Sequence, residues 1–489
     1  MKVGITAYGV SLPLYRLNRS DMHKAWKMLP FPMKGERSVA NFDEDSLTLA
    51  VNAARDCLRD ENPRSVDGIY CCSTTFPYHE KLSSAMAAVA LDMRNEISVV
   101  DIGNTLRGGT TAISLALDVI KAGSAQKVLV TASDCRGGAP GGELEQSIGD
   151  AGVALLIGEE NVIAEVEHKY TVADEFCGMW RSNKDKFIKI WEDRMVHDEG
   201  YSKILDKAIR DCLEKYGLSI SDFDRVVFDA PADFRRHAQL AKGLGIKKEK
   251  LQSSFFDTVG NTGTALAPMM LAAALDEAKP GERILFASYG NGADVFVLRV
   301  TDAILDVKNR GTFFKQLERK SMLDYPTYLK WRNLVPIDEA KRPKLPATSI
   351  SNLHRNVKIL LGLYGVKCKE CGTAQYTQAG MLSFYVMPAR VCLNCGTKDQ
   401  FEDYRFADKK GSLFSYTQDK LSASQDPPMT VGIVDFEGGG RAAFEVTDKD
   451  MGKIDVDAPV EMTFRHLFFD GGIHNYYWKV RPVSAKETE

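Results

Sequence analysis

Cys368 and Cys371, then Cys392 and Cys395, form two Cys-x-x-Cys-Gly knuckles separated by 20 residues. Each knuckle aims two thiolates at one point, and the glycine that follows frees backbone N–H groups to bond the sulfurs. Four thiolates favour Zn²⁺ over hard cations and leave no position open for catalysis, so the pattern reads as a structural zinc site. A redox dithiol pair and an iron–sulfur site are the alternatives. The second stretch with chemical content runs from Val99 to Gly123: a short apolar strand, a Gly103-Asn104 turn, and a long helix with small residues in its first turns and apolar residues almost all round. Such a helix is expected to be buried. Its N-terminus would present unpaired N–H groups and a positive dipole end, which suits an ionised thiol. Leu106 stands where that nucleophile would be sought.

The elements that position this turn occur twice. Arg55-Asp56-Cys57-Leu58 is echoed by Arg210-Asp211-Cys212-Leu213, Asp67-Gly-Ile-Tyr70 by Asp224-Arg-Val-Val227, and Gly103-Asn104-Thr105 by Gly260-Asn261-Thr262. Leu117-Asp118-x-x-Lys121-x-Gly123 returns as Leu275-Asp276-x-x-Lys279-x-Gly281, each followed by a strand, Val128–Ala132 and Ile284–Ala287. The offset stays between 155 and 158 residues across all four pairs, which marks an internal duplication. Each half alternates strand and helix and predicts mostly parallel sheets covered by helices. Two buried helices lying side by side between two sheets make a five-layered α/β/α/β/α sandwich, with both Gly-Asn-Thr turns facing one pocket.

Composition sets the outer bounds. The chain has 489 residues, 44 % of them hydrophobic and 26 % charged, with a net charge of -3. That balance carries no footprint for nucleic acid or an anionic membrane, and the apolar runs are too short to span a bilayer. The N-terminus enters a strand without a basic region or cleavage site, so a cytoplasmic, reducing location is expected. There the ten cysteines read as thiols or metal ligands rather than disulfides.

Further stretches add a resemblance. They are Thr74-Thr-Phe-Pro-Tyr78, Asn104-Thr-Leu-Arg-Gly-Gly-Thr110, Leu129-Val-Thr-Ala-Ser-Asp134, Gly149-Asp-Ala-Gly152, Trp191-Glu-Asp-Arg194, Gly260-Asn-Thr-Gly263 and Ser288-Tyr-Gly-Asn-Gly-Ala293. With the duplication, they make the chain up to about residue 305 resemble the thiolase superfamily, and within it the 3-hydroxy-3-methylglutaryl-CoA synthase branch. The resemblance implies acyl-CoA substrates and a site built from Cys, His and Glu. Carried over by position, the Cys falls on Leu106, the His on Asp229 (in Asp229-Ala-Pro231), and the Glu on Thr75, with Glu80 one and a half turns further on. Of the site's polar groups, the second-half Asn is kept, as Asn261.

A leucine has no nucleophilic atom, so covalent acyl transfer of the family's type is excluded at this position. Two readings follow. Either the pocket binds a CoA thioester and runs aldol or retro-aldol chemistry, as the similar thiolase-like aldolases of steroid side-chain degradation do, or the chain is a non-catalytic subunit of a thiolase or acyltransferase complex. In the first, Asp229 is the base, Asn261 and helix N-terminal N–H groups hold the enolate, Arg107 binds an anionic group of the substrate, and Glu80 is a further catalytic candidate. The bland counterparts are an Asp229 that caps a loop or pairs with Arg235, a turn-forming Asn261 and an Arg107 that closes the turn. Arg235, Arg236 and Lys242 lie where the family gathers basic groups for CoA phosphates, or else form a solvated helix face. Cys135 reads as core, Cys57 and Cys212 as packing, Cys71 and Cys72 as part of a buried strand, and Cys177 has no partner motif.

From Lys308 the composition changes. Phe313–Trp331 reads as an amphipathic helix anchored by Tyr325, Tyr328 and Trp331, lying along the large domain, and Pro336, Pro343 and Pro346 then impose an extended connector. After the knuckles come strands at Ser412–Thr417, Val431–Phe436, Ala442–Val446, Pro459–Arg465 and Tyr476–Val480, with a Glu437-Gly-Gly-Gly440 hairpin turn. This region resembles the zinc-ribbon/OB-fold proteins that accompany thiolases. Its aromatics (Phe468, Phe469, Tyr476, Tyr477, Trp478) alternate as core would, and no basic stripe suits nucleic acid. The expected divisions are two thiolase-like halves at 1–165 and 166–305, a helical linker at 306–355, a zinc ribbon at 356–400 and an OB fold at 401–489. By analogy with the family, a homodimer or a complex with a thiolase-like partner is expected.

Overall fold

The computed structural model describes residues 2–27, 33–230, 234–307, 310–338, 348–376, 389–452 and 454–483. Lys308, Pro231, Pro343 and Pro346 lie outside them. The chain forms two compact units, one of residues 1–40, 45–88 and 93–328, the other of residues 41–44, 89–92 and 329–489.

The first unit is built on strands β1 (Gly4–Ser11), β2 (Gly68–Cys72), β3 (Ser98–Ile102), β4 (Lys127–Asp134), β5 (Ala151–Gly158), β6 (Ala164–Ala173), β7 (Arg225–Phe228), β8 (Arg283–Tyr289) and β9 (Gly292–Val300). They run in the order β7-β8-β9-β6-β1-β5-β4-β2-β3. The two half-sheets expected from the duplication are joined through the short β1–β6 pairing of Gly4 with Glu165 and Ile5 with Ala164. The sheet is mixed rather than mostly parallel. Only β2–β3, β2–β4 and β7–β8 are parallel, because β8 returns as β9 through the short Tyr289–Gly292 turn, which forces an antiparallel pair.

Helices α1 (Ser46–Cys57) and α3 (Lys203–Tyr216) cover the outer faces, with α4 (Phe234–Gly243) beside α3; α2 (Gly108–Lys121) and α5 (Leu266–Glu277) lie between the half-sheets. The expected pair of inner helices is therefore present, with one difference. Every residue of α5 from Leu266 to Asp276 is buried, whereas Leu115 on α2 is 45 % exposed and Asp118 faces solvent. The small residues at the start of α2 are a packing device. A Cβ on Gly109 would lie 3.1 Å from both Ala132 Cβ and Pro268 Cγ, so glycine lets α2 approach β4 and α5 closely.

The stretch read as one helix over Phe313–Trp331 is broken in two. Helices Thr312–Glu318 and Tyr325–Trp331 flank a strand, Ser321–Leu323, that pairs in parallel with Tyr15–Leu17. Tyr325, Tyr328 and Trp331 are all buried, as anchors should be.

In the second unit, β10 (Tyr364–Cys368), β11 (Ala374–Gln375) and β12 (Phe401–Arg405) form a small antiparallel sheet that carries the first knuckle. Strands β13 (Lys410–Asp419), β14 (Met429–Phe436), β15 (Arg441–Glu445), β16 (Pro459–Asp470) and β17 (Ile473–Pro482) follow in the order β15-β14-β13-β16-β17. A parallel bridge between Val446 and Val480 brings the two edges together, so the sheet closes as an OB-type barrel and leaves little open edge. The expected alternation of aromatics fails here. Tyr476, Tyr477 and Trp478 are consecutive and all buried, while Phe469 is 60 % exposed near the β16–β17 turn. Both faces of β17 are covered: Trp478 Nε1 donates to the Leu361 carbonyl at 2.7 Å, and the buried Lys479 ammonium pairs with Asp43 and Glu445.

Candidate functional site

One large cavity, about 1250 Å³, opens in the first unit at the carboxyl ends of β2, β4, β7 and β8 and at the N-terminus of α2. That is where ligands bind in open α/β sheets, because side chains and free N–H groups converge there from several elements. Leu106 lies in its wall, half-buried, two residues before α2 begins. The backbone around it is closely confined. A Cβ on Gly290 would stand 2.8 Å from Arg107 N and 3.2 Å from Leu106 N, so only glycine allows β8–β9 to approach this turn. The two pseudo-equivalent asparagines both line the cavity, but their turns differ: Asn104 itself takes φ +65°, whereas in the second half Gly260 takes φ +91°.

Asp229 continues β7 into the cavity. Its carboxylate accepts the Tyr289 N–H at 3.1 and 3.0 Å and the Ser288 hydroxyl at 3.4 Å, and its carbonyl accepts the Tyr201 hydroxyl at 2.9 Å. Burial pushes its pKa up to about 7, against those hydrogen bonds. Asn261 holds the adjoining position. Its Nδ2 donates to the Ala230 carbonyl at 3.3 Å, and its Oδ1 accepts the Gly263 N–H at 3.0 Å.

The other residues singled out from the sequence are dispersed. The Arg107 guanidinium turns away from the cavity onto buried Asp294 at 2.8 Å and the Asn291 carbonyl at 3.3 Å. Glu80 is exposed on the cavity wall, and the stretch between Thr75 and it is irregular, so helical spacing does not apply. Thr75 lines the cavity and donates to Asp134 at 3.0 Å. Arg235, Arg236 and Lys242 do not line the cavity; Arg236 pairs with Asp198. Cys135, expected in the core, is half-buried and lines the cavity, as does exposed Cys177, because β4 ends at Asp134 and the chain turns out past the sheet. Cys57, Cys71, Cys72 and Cys212 are buried as expected.

Sequence reading missed several lining residues. Arg136 follows Asp134 by two positions, is only 8 % exposed, and reaches Asn261 Oδ1 at 3.5 Å. His197 and Tyr201 sit on a π-helical turn, Val196–Ser202, a feature common at functional sites. His197 is 1 % exposed, its Nε2 is 3.0 Å from Asp193 Oδ1, and its Nδ1 makes no hydrogen bond among the described residues. The available signal was position at a strand's carboxyl end for Arg136; nothing local marked the π-turn.

In the second unit, the ligand atoms of Cys368, Cys371, Cys392 and Cys395 lie within 4.8 Å of one another. Cys368 Sγ is 3.7 Å from Cys395 Sγ, and Cys371 Sγ is 3.5 Å from Cys392 Sγ. A tetrahedron with metal–sulfur bonds of about 2.3 Å has edges of about 3.8 Å, so these thiols fit a tetrahedral metal. The knuckles repeat each other: Gly372 and Gly396, at φ +73° and +75°, donate to the carbonyls of Cys368 and Cys392. The Thr373 hydroxyl and amide hold the Cys371 thiol down to about 6.

A duplicated five-layered α/β body with its cavity at the strands' carboxyl ends defines the thiolase-superfamily class. A family model described as 3-oxoacyl-acyl-carrier-protein (ACP) synthase III C terminal matches residues 213–300, and one described as ChsH2, C-terminal OB-fold domain, matches residues 404–465. The hydroxymethylglutaryl-CoA synthase of Pyrobaculum arsenaticum is 32 % identical over 349 residues, covering 69 % of this chain and 99 % of that protein. That of Methanocella arvoryzae is 33 % identical, covering 69 % and 100 %. Among solved structures, an HMG-CoA synthase complexed with CoA has a TM-score of 0.60 at 20 % identity, covering 68 % of this chain and 90 % of that one. The 3-oxoacyl-acyl-carrier-protein synthase III of Aquifex aeolicus has a TM-score of 0.52 at 22 % identity, covering 61 % and 99 %. The chain belongs to the hydroxymethylglutaryl-CoA synthase family, with a four-cysteine cluster and an OB-fold domain following the family's body. Among the described residues, no helix is long and apolar enough to cross a membrane.

Proposed function

We propose that this chain binds acyl-CoA thioesters and makes or breaks a carbon–carbon bond without an acyl-cysteine intermediate. The observation that carries the reading is the meeting, in one cavity, of Leu106 with an Asp229 poised near neutrality and the adjoining Asn261. In the cleavage direction, the Asp229 carboxylate takes the proton of a β-hydroxyacyl thioester's hydroxyl. The Cα–Cβ bond then breaks, its electron pair enters the thioester as an enolate, and a carbonyl product leaves. Protonation at Cα completes the acyl-CoA product. Asn261 Nδ2 and the N–H groups before α2 are the donors for the enolate oxygen. Glu80, on the cavity wall, is a second acid or base within the same reading, while Arg235, Arg236 and Lys242 would meet CoA phosphates beyond the cavity.

The four cysteines would hold one structural Zn²⁺, which stabilises the ribbon and takes no part in the reaction. In the assembly we favour, the chain works as a homodimer or beside a thiolase-like subunit. A second reading, a non-catalytic subunit, draws support from Arg107, whose pairing with Asp294 removes it from the cavity. Assay of the purified full chain on β-hydroxyacyl-CoA thioesters, alone and with proteins co-purified from its host, separates the two. Turnover alone, lost in Asp229→Asn, supports the enzyme; turnover only with a Cys-bearing partner supports the subunit. A hydroxylamine-labile acyl adduct on Cys135 or Cys177 overturns the non-covalent mechanism.

A further inference from the structure

Arg136 and Arg181 both line the cavity, and among the described residues both guanidinium groups have few contacts. Arg136 is 8 % exposed, and its contacts are weak: Asn261 Oδ1 at 3.5 Å and Met179 Sδ at 3.9 Å. The carboxylate near it, Asp134, is already saturated. Oδ1 accepts from the Ser73, Thr74 and Thr75 hydroxyls and the Thr74 N–H, and Oδ2 accepts from the Thr264 N–H and hydroxyl. Burial lowers the pKa of Arg136, Asp134 opposes that, and Arg181 adds to it. Arg181 spends one donor on the Thr74 carbonyl at 2.6 Å and is otherwise open to the cavity.

A buried guanidinium whose neighbouring carboxylate is already saturated by other donors is costly to maintain unless a ligand meets it. Its planar fork suits a carboxylate, and its contact with Asn261 puts it beside the reacting carbons rather than at a nucleotide. We propose that the cavity selects thioesters whose acyl chain carries a carboxylate, seated by Arg136 with Arg181 as its outer partner. This rests on the acyl-CoA reading above and makes Arg136 a specificity-determining residue.

Calorimetric titration of the full chain with succinyl-CoA, glutaryl-CoA, butyryl-CoA and free CoA tests it. Wild type is expected to bind the two carboxylated thioesters about tenfold to a hundredfold tighter than butyryl-CoA, the range for hydrogen bonds to a charged group. Arg136→Gln should erase that preference, Arg136→Lys should keep part of it, and Arg181→Gln, at an exposed position, should reduce it. Equal affinities in wild type, unchanged in Arg136→Gln, overturn the inference while leaving the acyl-CoA reading intact. Loss of free CoA affinity in Arg136→Gln equal to the loss for succinyl-CoA overturns it too, because the arginine would then serve a CoA phosphate. Binding of none of the four overturns the acyl-CoA reading, and this inference with it.

Discussion

The main-chain N–H of Tyr289, the last residue of β8, donates to both carboxylate oxygens of Asp229, the first residue after β7. The two strands are parallel neighbours, with Phe228 opposite Ala287, so the backbone ladder itself aims this carboxylate into the cavity. Two opposing effects then act on one group. The N–H bonds favour its charged form and burial disfavours it more strongly, leaving it half-ionised near neutral pH.

If Asp229 is the base, kcat/KM should rise about tenfold per pH unit below a bend near 7 and level off above it. Asp229→Asn should lower it by at least about a hundredfold. The stability consequence has the opposite sense. The folded-state pKa lies above the unfolded one, so the native state holds the extra proton, and stability falls as pH rises from about 4 to about 7. Asp229→Asn should therefore unfold at or above the wild-type temperature at pH 8, in thermal melts that also confirm that lost activity is not lost fold.

Leu106→Cys places sulfur beside the N-terminus of α2, where N–H groups stabilise a thiolate. At pH 7, iodoacetamide should label position 106 faster than the buried Cys57, Cys71 and Cys72, as read by peptide mass spectrometry. Labelling no faster than at those three would show that residue 106 does not face the cavity.

Elemental analysis of the full chain should find about one zinc per polypeptide, abolished in Cys371→Ser/Cys395→Ser. Chelation should release it and lower the melting temperature of the second unit, because structural zinc binding is coupled to folding.

Within the second unit, the Arg465 guanidinium is 0 % exposed and pairs with Asp43, Glu44 and Asp448, while Lys479 pairs with Asp43 and Glu445. Removing one partner leaves buried charge unmet. Arg465→Ala should destabilise that unit by about 3–5 kcal/mol in urea unfolding, and Arg465→Met by markedly less.

Patterns that a few neighbouring residues can carry were legible in the chain itself. The duplication, the inner helix α5, the five barrel strands and the four-cysteine cluster all follow from local spacing, because periodicity and ligand geometry are local properties. That Leu106 offers no nucleophilic atom at the turn before α2 was equally plain, being a matter of residue identity. What only the tertiary structure decided was direction and company. Arg107 and Arg136 are alike as sequence, yet one is drawn onto Asp294 across 187 positions and the other is left facing the cavity. Cys135 looks like a core residue until the end of β4 sets it outside the sheet. The neutral-range pKa of Asp229 arises from burial by segments distant in the chain, and desolvation depends on the sum of surrounding atoms, which no short stretch of sequence encodes.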